Sequence, residues 1–424
     1  MTEATSSAFA IGIDIGTSGV RAVALDRAGQ TVATASHPFE TPAEVRRPAA
    51  WWAGVEHCLG ALRSATPLDG VAGLAVDGTS GTVLALDAAG APIGDALLYN
   101  DRCTDPAALA AIAAAAPADS PALGGTSPLG KAIELAHRPG TVRILHQADW
   151  VASRLGDGIV VSDENNALKT GYDLQTESWP AWIAATGFDV GLLPPVRRVG
   201  TGLGAVGAAG RALGLPAAAI VHAGTTDGCA SFLATGAREV GDGVTALGST
   251  LVLKLLSDRP VFASDYGIYS HRIGDLWLPG GASNSGGAVL KALFGDAAIE
   301  ALSASLDPDH PTGLDYYPLA APGERFPVSD PAFPPRLEPR PADDARFFQG
   351  VLEGIAAIEA LGYRRLAEHG APALKSVRSV GGGARSAGWT KIRAARLGVP
   401  MREALSTDAA AGAARLVLAN HALP

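Results

Sequence analysis

Ile11-Gly12-Ile13-Asp14-Ile15-Gly16-Thr17-Ser18 and, far downstream, Thr245-Ala246-Leu247-Gly248-Ser249-Thr250-Leu251-Val252 have the same plan. Each reads as an apolar strand, a turn of glycine and hydroxyl residues, and a second apolar strand. A glycine lets the backbone come close to a ligand, and neighbouring hydroxyls and N–H groups bind phosphate oxygens. Most strand–Gly–strand turns are only turns. The weight therefore rests on the pairing, with Asp14 at the first tip. It points to two related halves closing on one nucleotide.

The bulk composition narrows the field. A chain of 424 residues suits two or three domains. With 47% hydrophobic and 18% charged residues a large core can form, which excludes global disorder. A net charge of −9 argues against nucleic acid or an anionic membrane as partner. A phosphorylated ligand stays open, because backbone N–H groups and Mg2+ handle its charge locally. The three cysteines, Cys58, Cys103 and Cys229, share no close spacing, so no disulfide framework is expected and a reducing, cytoplasmic setting is. The nine histidines form no HxH or HExxH pattern, which leaves a zinc site without support. Met1 to Ala8 lacks a basic region followed by an apolar run, and no apolar stretch reaches the ~20 residues of a membrane helix. Neither secretion nor membrane insertion is expected.

Along the chain, residues 10–36 read as two or three strands, and 47–65 as a helix with Trp51, Trp52, Val55, Leu59 and Leu62 at spacings of three and four. Leu74 to Asp87 repeats the first hairpin's pattern. Helices are expected over 106–116 and 141–155. The strand Ala218–Ala223 runs into Gly224-Thr225-Thr226-Asp227, where a helix begins. The later hairpin covers 244–256, a short helix covers 286–294, and the Pro-dense stretch 304–342 reads as loop. A long helix spans Asp343 to His369, with Phe348, Val351, Leu352, Ile355, Ile358 and Leu361 on one stripe. The strand Ser376–Val380, the turn Gly381-Gly382-Gly383 and the helix Ala387–Leu397 follow. A last helix starts at Asp408. Strands alternating with helices, with a hairpin heading each half, give an α/β plan with mixed sheets.

Several residues are placed for chemistry. Asp14, at the tip of a glycine hairpin, suits either a Mg2+ held beside phosphates or an Asx turn. Asp227 lies where a strand ends and a helix begins, a common ligand position in α/β sheets. It suits either a general base for a hydroxyl or a helix N-cap. The three glycines at 381–383 let a flat ring lie on the backbone, and Trp389 either walls that ring or packs in the core. Asn100, Asp101 and Arg102, Ser80, and the run Ser162 to Lys169 are polar clusters, either polyol contacts or solvated loops.

At these residues the chain resembles the FGGY carbohydrate kinases of the actin, hexokinase and Hsp70 superfamily, over nearly its whole length. The family's first phosphate motif stands as Asp14-Ile15-Gly16-Thr17 with Arg21, and its catalytic aspartate pattern as Gly224-Thr225-Thr226-Asp227. The second phosphate motif stands as Gly248-Ser249-Thr250, and the adenosine motif as Gly381, Gly382 and Gly383 with Trp389. Ser386 stands where related adenosine motifs often carry Asn. Asp77 to Leu84, Leu98 to Asp101 and Ser162 to Asp173 resemble the compact ribulokinase, or xylulose kinase-like, members of cyanobacteria and plants.

The resemblance implies two actin-like (ribonuclease H-like) domains with a cleft between them. Residues 1–234 and the final helix 408–424 would form the sugar domain, and residues 235–407 the nucleotide domain. It implies ATP and Mg2+ as cofactors and transfer of phosphate to the terminal hydroxyl of a ketopentose, D-ribulose first and D-xylulose second. Asp227, Asp14 and Thr17 would be catalytic. Gly16, Thr17, Gly248, Ser249, Thr250, Gly382, Gly383, Ser386 and Trp389 would bind the nucleotide. Asp14, Ser18, Gly19, Ser80 and Asp227 would place the sugar, and Asp14 would hold Mg2+ through water. A non-catalytic sensor and an Hsp70-like ATPase are the other classes. The oligomeric state, monomer or homodimer, stays open.

Overall fold

The computed structural model describes residues 7–421. The reading of the amino terminus falls largely on residues 1–6, outside the described residues, as do the last three residues of the expected final helix. The chain divides into two compact units, residues 1–234 with 408–424, and residues 235–407.

The first unit contains strands β1 (Ala10–Ile15), β2 (Gly19–Leu25), β3 (Thr31–Pro38), β4 (Gly73–Gly78), β5 (Val83–Leu86), β6 (Arg143–His146), β7 (Ser162–Asp163), β8 (Val196–Arg197), β9 (Gly202–Ala205) and β10 (Ile220–Thr226). Its main sheet has the order β3-β2-β1-β4-β10-β9. β4 is parallel to both β1 and β10, and the other pairs are antiparallel. β1 is buried at every residue, as an apolar run covered on both faces must be. Its helices, before the chain leaves, are α1 (Pro48–Ala65), α2 (Pro106–Ala115), α3 (Pro128–Ala136), α4 (Gln147–Leu155), α5 (Glu164–Leu168), α6 (Trp182–Ala185), α7 (Ala208–Ala212) and α8 (Asp227–Ala234). α1 opens with Pro48 at its first turn, where the missing N–H would be unsatisfied anyway. It buries Trp51, Val55, Leu59 and Leu62 against the sheet.

The second unit holds β11 (Asp242–Leu247), β12 (Leu251–Leu255), β13 (Tyr269–Ile273), β14 (Leu276–Ser283) and β15 (Ser376–Val380) in the order β13-β14-β12-β11-β15. Its helices are α9 (Gly287–Ser303, kinked at Gly295), α10 (Asp344–Glu368) and α11 (Ala387–Leu397). The Pro-rich span between α9 and α10 carries no named element, as read. β11, β12, β14 and β15 repeat the order and directions of β1, β2, β3 and β4. The echo between the hairpins therefore extends to four strands of each sheet.

The chain then returns to the first unit as α12 (Ala409–His421), which packs on β1, β2, β4 and α8. Two glycines permit this closeness. A Cβ on Gly12 would lie 1.8 Å from the carbonyl oxygen of Ala410, and one on Gly412 would lie 1.8 Å from that of Ala230.

Three readings change. Leu74 to Asp87 is not a second hairpin: β4 joins the main sheet, while β5 pairs with β6 in a separate two-stranded sheet. The turn at Gly81, with φ +93°, carries the chain out of the first sheet. The helix expected over 141–155 begins only at Gln147, because Arg143–His146 is strand β6. The polar run 162–169 is not a solvated loop, since Ser162, Asp163, Glu164, Asn165 and Asn166 are buried. β14 went unread because Pro279-Gly280-Gly281 signals a break, and here those residues lie inside the strand.

Candidate active site

In the first unit, strand register brings the acidic residues together. Asp14 is the Cα partner of Arg21 on β2 and of Asp77 on β4, and Asp77 is in turn the partner of Thr225 on β10. Two residues beyond Thr225, Asp227 opens α8. The turn after Asp14 is closed by Gly16 N–H donating to the Gly19 carbonyl at 3.0 Å, which leaves Thr17 and Ser18 exposed. Gly19 has φ +152°, and a Cβ there would lie 2.3 Å from the His37 carbonyl oxygen.

Asp14 and Asp77 are buried, 5% and 0% exposed. Two adjacent carboxylates in a dry setting do not both ionise. If both did, the Asp77 oxygens and Asp14 Oδ1 would lack any hydrogen-bond partner. A proton on Asp77 pairs one oxygen of each, since its carboxyl then donates to Asp14. Burial accordingly raises Asp77 well above the ordinary carboxylate range, and the charge of Asp14 adds to the effect. Burial also pushes Asp14 up to about 6, with Asp227 and Asp408 adding, while the bond from Asp77 and the Arg21 charge oppose. Arg21 Nη1 lies 3.5 Å from Asp14 Oδ2.

Asp227 differs from that pair in being half-buried. The local bonds also separate the two roles read from its position. Thr226 Oγ1 accepts from Cys229 N–H at 3.4 Å, the bond an N-cap side chain makes three residues on. Asp227 Oδ1 accepts from the adjacent Gly228 N–H, at 2.6 Å, a bond that is not a capping bond. Thr226 thus takes the capping place.

The predicted sugar residue Ser80 sits in a braced turn. Gln147 Oε1 accepts from Thr79 N–H at 3.0 Å and from the Thr79 hydroxyl at 2.9 Å. The fully buried Lys131 donates to the carbonyls of Gly81 and Leu98, at 2.7 and 2.6 Å. Burial pushes its ammonium down to about 8. Sequence reasoning passed over Lys131 and Asp77. An apolar helix around the one and a strand pattern around the other concealed them. Asp101 is committed elsewhere, paired with both terminal nitrogens of Arg46 and accepting from Leu98 N–H. Asn165 is turned inward, its amide donating to Thr225 Oγ1 at 3.0 Å.

In the second unit, Gly248 and Ser249 are exposed at the hairpin turn, and Thr250 is half-exposed. The Gly248 and Ser249 carbonyls accept from Gly287 and Ala288 at the start of α9, which fixes the turn. The glycine run lies against it. Gly381 has φ +86°, and a Cβ there would lie 2.7 Å from the Leu247 carbonyl oxygen. A Cβ on Gly382 would meet nothing within 4 Å, so its open face suits a planar ring. Ser386 caps α11 through Trp389 N–H at 3.2 Å. Trp389 does not face outward. It is 4% exposed, packs beneath Gly383, and donates its indole N–H to the Leu352 carbonyl at 3.3 Å. Its place is as a support under the turn.

These surroundings fit ATP and Mg2+. The two exposed glycine turns offer backbone to phosphates and a ring, and Asp14 is a buried carboxylate at a strand end, an oxygen donor of the kind Mg2+ takes. Among the described residues there is no group of three or more His, Cys, Asp or Glu that could hold a metal ion. Among the same residues, no helix is long and apolar enough to cross a membrane.

The fold and sequence match known proteins. Over 97% of this chain and 90% of the other, a xyloylose kinase from Brucella ovis superposes with a TM-score of 0.85 at 25% identity. The xylulose kinase from Rhodospirillum rubrum gives 0.82 at 25% identity, over 98% and 91%. The autoinducer-2 kinase of Klebsiella pneumoniae is 27% identical over 65% of this chain, which spans 57% of that protein's length. Residues 9–112 match the N-terminal domain of the FGGY family of carbohydrate kinases, and residues 243–422 match its C-terminal domain. The α/β architecture, the two glycine hairpins and both domain matches agree: the chain belongs to the FGGY family of carbohydrate kinases.

Proposed function

We propose that this protein transfers the γ-phosphoryl group of ATP to the terminal hydroxyl of a ketopentose, with D-ribulose giving D-ribulose 5-phosphate. The observation that carries the reading is Asp227, a half-buried carboxylate at the mouth of α8 whose capping duty falls to Thr226. Such a group is placed to take the proton of an incoming hydroxyl and to aim its oxygen at phosphorus.

In this reading Asp14, Ser18, Gly19, Ser80 and Asp227 place the sugar. Gly16, Thr17, Gly248, Ser249 and Thr250 hold phosphate oxygens. Gly382 and Gly383 lie along the adenine, and Ser386 and Trp389 fix the turn that carries them. A divalent cation bound with ATP neutralises phosphate charge, and Asp14 holds it through water. Alignment and charge stabilisation supply the rate, with no covalent enzyme intermediate. The rigid sheet ends beneath Asp14 and Asp227 provide that alignment. D-xylulose is the second reading, favoured by the likeness to the two kinases of that sugar.

A coupled assay of ADP release with Mg·ATP tests the proposal on a panel of pentuloses, polyols and autoinducer-2. The expected result is the highest kcat/KM with D-ribulose. Turnover of D-xylulose alone selects the second reading, and no ADP release with any pentulose overturns both. Asp227→Ala is expected to lower kcat by about 10²–10⁴ while nucleotide binding persists.

A further inference from the structure

The second unit buries an ion pair beneath its two glycine turns. Arg393 of α11 donates Nε–H to Glu359 Oε2 at 2.6 Å and Nη2–H to Glu359 Oε1 at 2.7 Å, and both residues are fully buried. Each partner also holds a strand. Arg393 Nη1 donates to Ser379 Oγ of β15 at 2.7 Å. Glu359 Oε1 accepts from the Thr245 hydroxyl of β11 at 2.5 Å. That uses the only proton on Thr245, so the Tyr363 hydroxyl, 2.9 Å away, donates to Thr245.

The two strand contacts are matched. Thr245 and Ser379 are Cα partners across the parallel pair β11 and β15. Thr245 precedes the Gly248–Thr250 turn and Ser379 precedes Gly381. The two turns touch just above the pair, since a Cβ on Gly381 would lie 2.7 Å from the Leu247 carbonyl oxygen. One clasp thus ties α10 and α11 to both strands at the point where each enters its turn.

Stability alone does not explain such a clasp. Replacing a buried ion pair with apolar residues of similar volume is often neutral or stabilising, because desolvation offsets the attraction. The fork of an arginine on a carboxylate does fix geometry, with two parallel bonds in one plane.

We propose that Glu359 and Arg393 are positioning residues for the nucleotide, setting the phosphate turn and the adenosine turn at their working separation through Thr245 and Ser379. The inference rests on reading these turns as the nucleotide grips.

The test uses the full chain, binding of a fluorescent ATP analogue, steady-state kinetics and thermal melting. The double variant Glu359→Leu with Arg393→Met removes the pair and keeps the volume. It is expected to melt cooperatively near the wild-type temperature yet bind the analogue about tenfold more weakly, a shift of about 1.4 kcal/mol. The KM for Mg·ATP should rise in parallel, and the KM for sugar should stay within about twofold. A folded double variant with wild-type affinity overturns the proposal. Should the double variant fail to fold, Thr245→Val decides, because it releases β11 from the clasp and leaves the ion pair whole. A several-fold loss of nucleotide affinity supports the proposal, and unchanged affinity overturns it. Wild-type protein that binds no analogue overturns the reading of the turns as well. Normal wild-type binding with insensitive variants overturns the clasp alone.

Discussion

Asp14 and Asp77 are register partners on adjacent parallel strands, both buried at the end of the sheet, and burial raises both carboxyls. The arrangement leaves Asp14 as the charged member and Asp77 as its neutral donor. Asp77→Asn supplies an N–H in the same place without a charge and should preserve both stability and turnover. Asp77→Ala removes the donor and should lower unfolding free energy by about 1–3 kcal/mol. Urea titration of the two variants measures the difference. Equal losses in both would show that the donated bond is unimportant.

Asp14 must be ionised to hold a cation, and burial raises its pKa to about 6. The kcat/KM for Mg·ATP should therefore fall as pH drops below about 6. Mg2+ competes with that proton, so raising its concentration should move the acidic limb to lower pH. A limb at the same pH across a Mg2+ series would remove Asp14 from cation binding.

Asp163 gives a stability effect of defined sign. Burial raises its pKa from 3.8 to about 6, the Asp149 charge adding while bonds from Asn166 and the nearby His146 oppose. The folded state binds the proton more tightly than the unfolded one. The associated stability is therefore complete below about pH 4 and is lost as pH rises through about 6. Asp163→Asn keeps the cap on α5, because an amide oxygen accepts the same N–H groups. Relative to wild type, the variant should gain stability between about pH 4 and 6 and gain no more at higher pH. Parallel stability curves for the two proteins would contradict this.

Lys131 braces the Ser80 turn and the loop at Leu98 from inside the core. Lys131→Met takes its donor from the buried Gly81 carbonyl and leaves the Leu98 carbonyl to the Asp101 N–H, which costs about 1–3 kcal/mol. The loosened turn should raise the sugar KM several-fold and leave nucleotide affinity intact. A sugar KM equal to wild type in a folded variant would detach Lys131 from the site.

The hairpins, the long helix and the strand entering Gly381 were legible because their signals are local. Apolar runs bounded by glycine, and a 3.6-residue stripe, require no knowledge of distant partners. Asp77 was not legible as a partner of Asp14, because the shared pattern reads equally as a second hairpin and says nothing of which strands pair. The run Ser162 to Asn166 misled for a related reason. Its polar side chains are satisfied inside the fold by His146 and Thr225, contacts made at a distance along the chain, and by Asp163 within the run. Trp389 illustrates the remaining gap: a tryptophan beyond three glycines is compatible with a ring wall or a floor, and only packing against Gly383 and Leu352 separates them.

The return of α12 to the first unit has a consequence for synthesis on the ribosome. The sheet that carries Asp14 and Asp77 begins with β1, yet the helix covering β1 and β4 is made only after the whole second unit. Until then an apolar face stays uncovered on the nascent chain, waiting on contacts of very high sequence separation, which form slowly. Completion of the first unit thus waits on synthesis of the whole second unit, and deletion of α12 would strip the cover from the strands that carry the acidic pair.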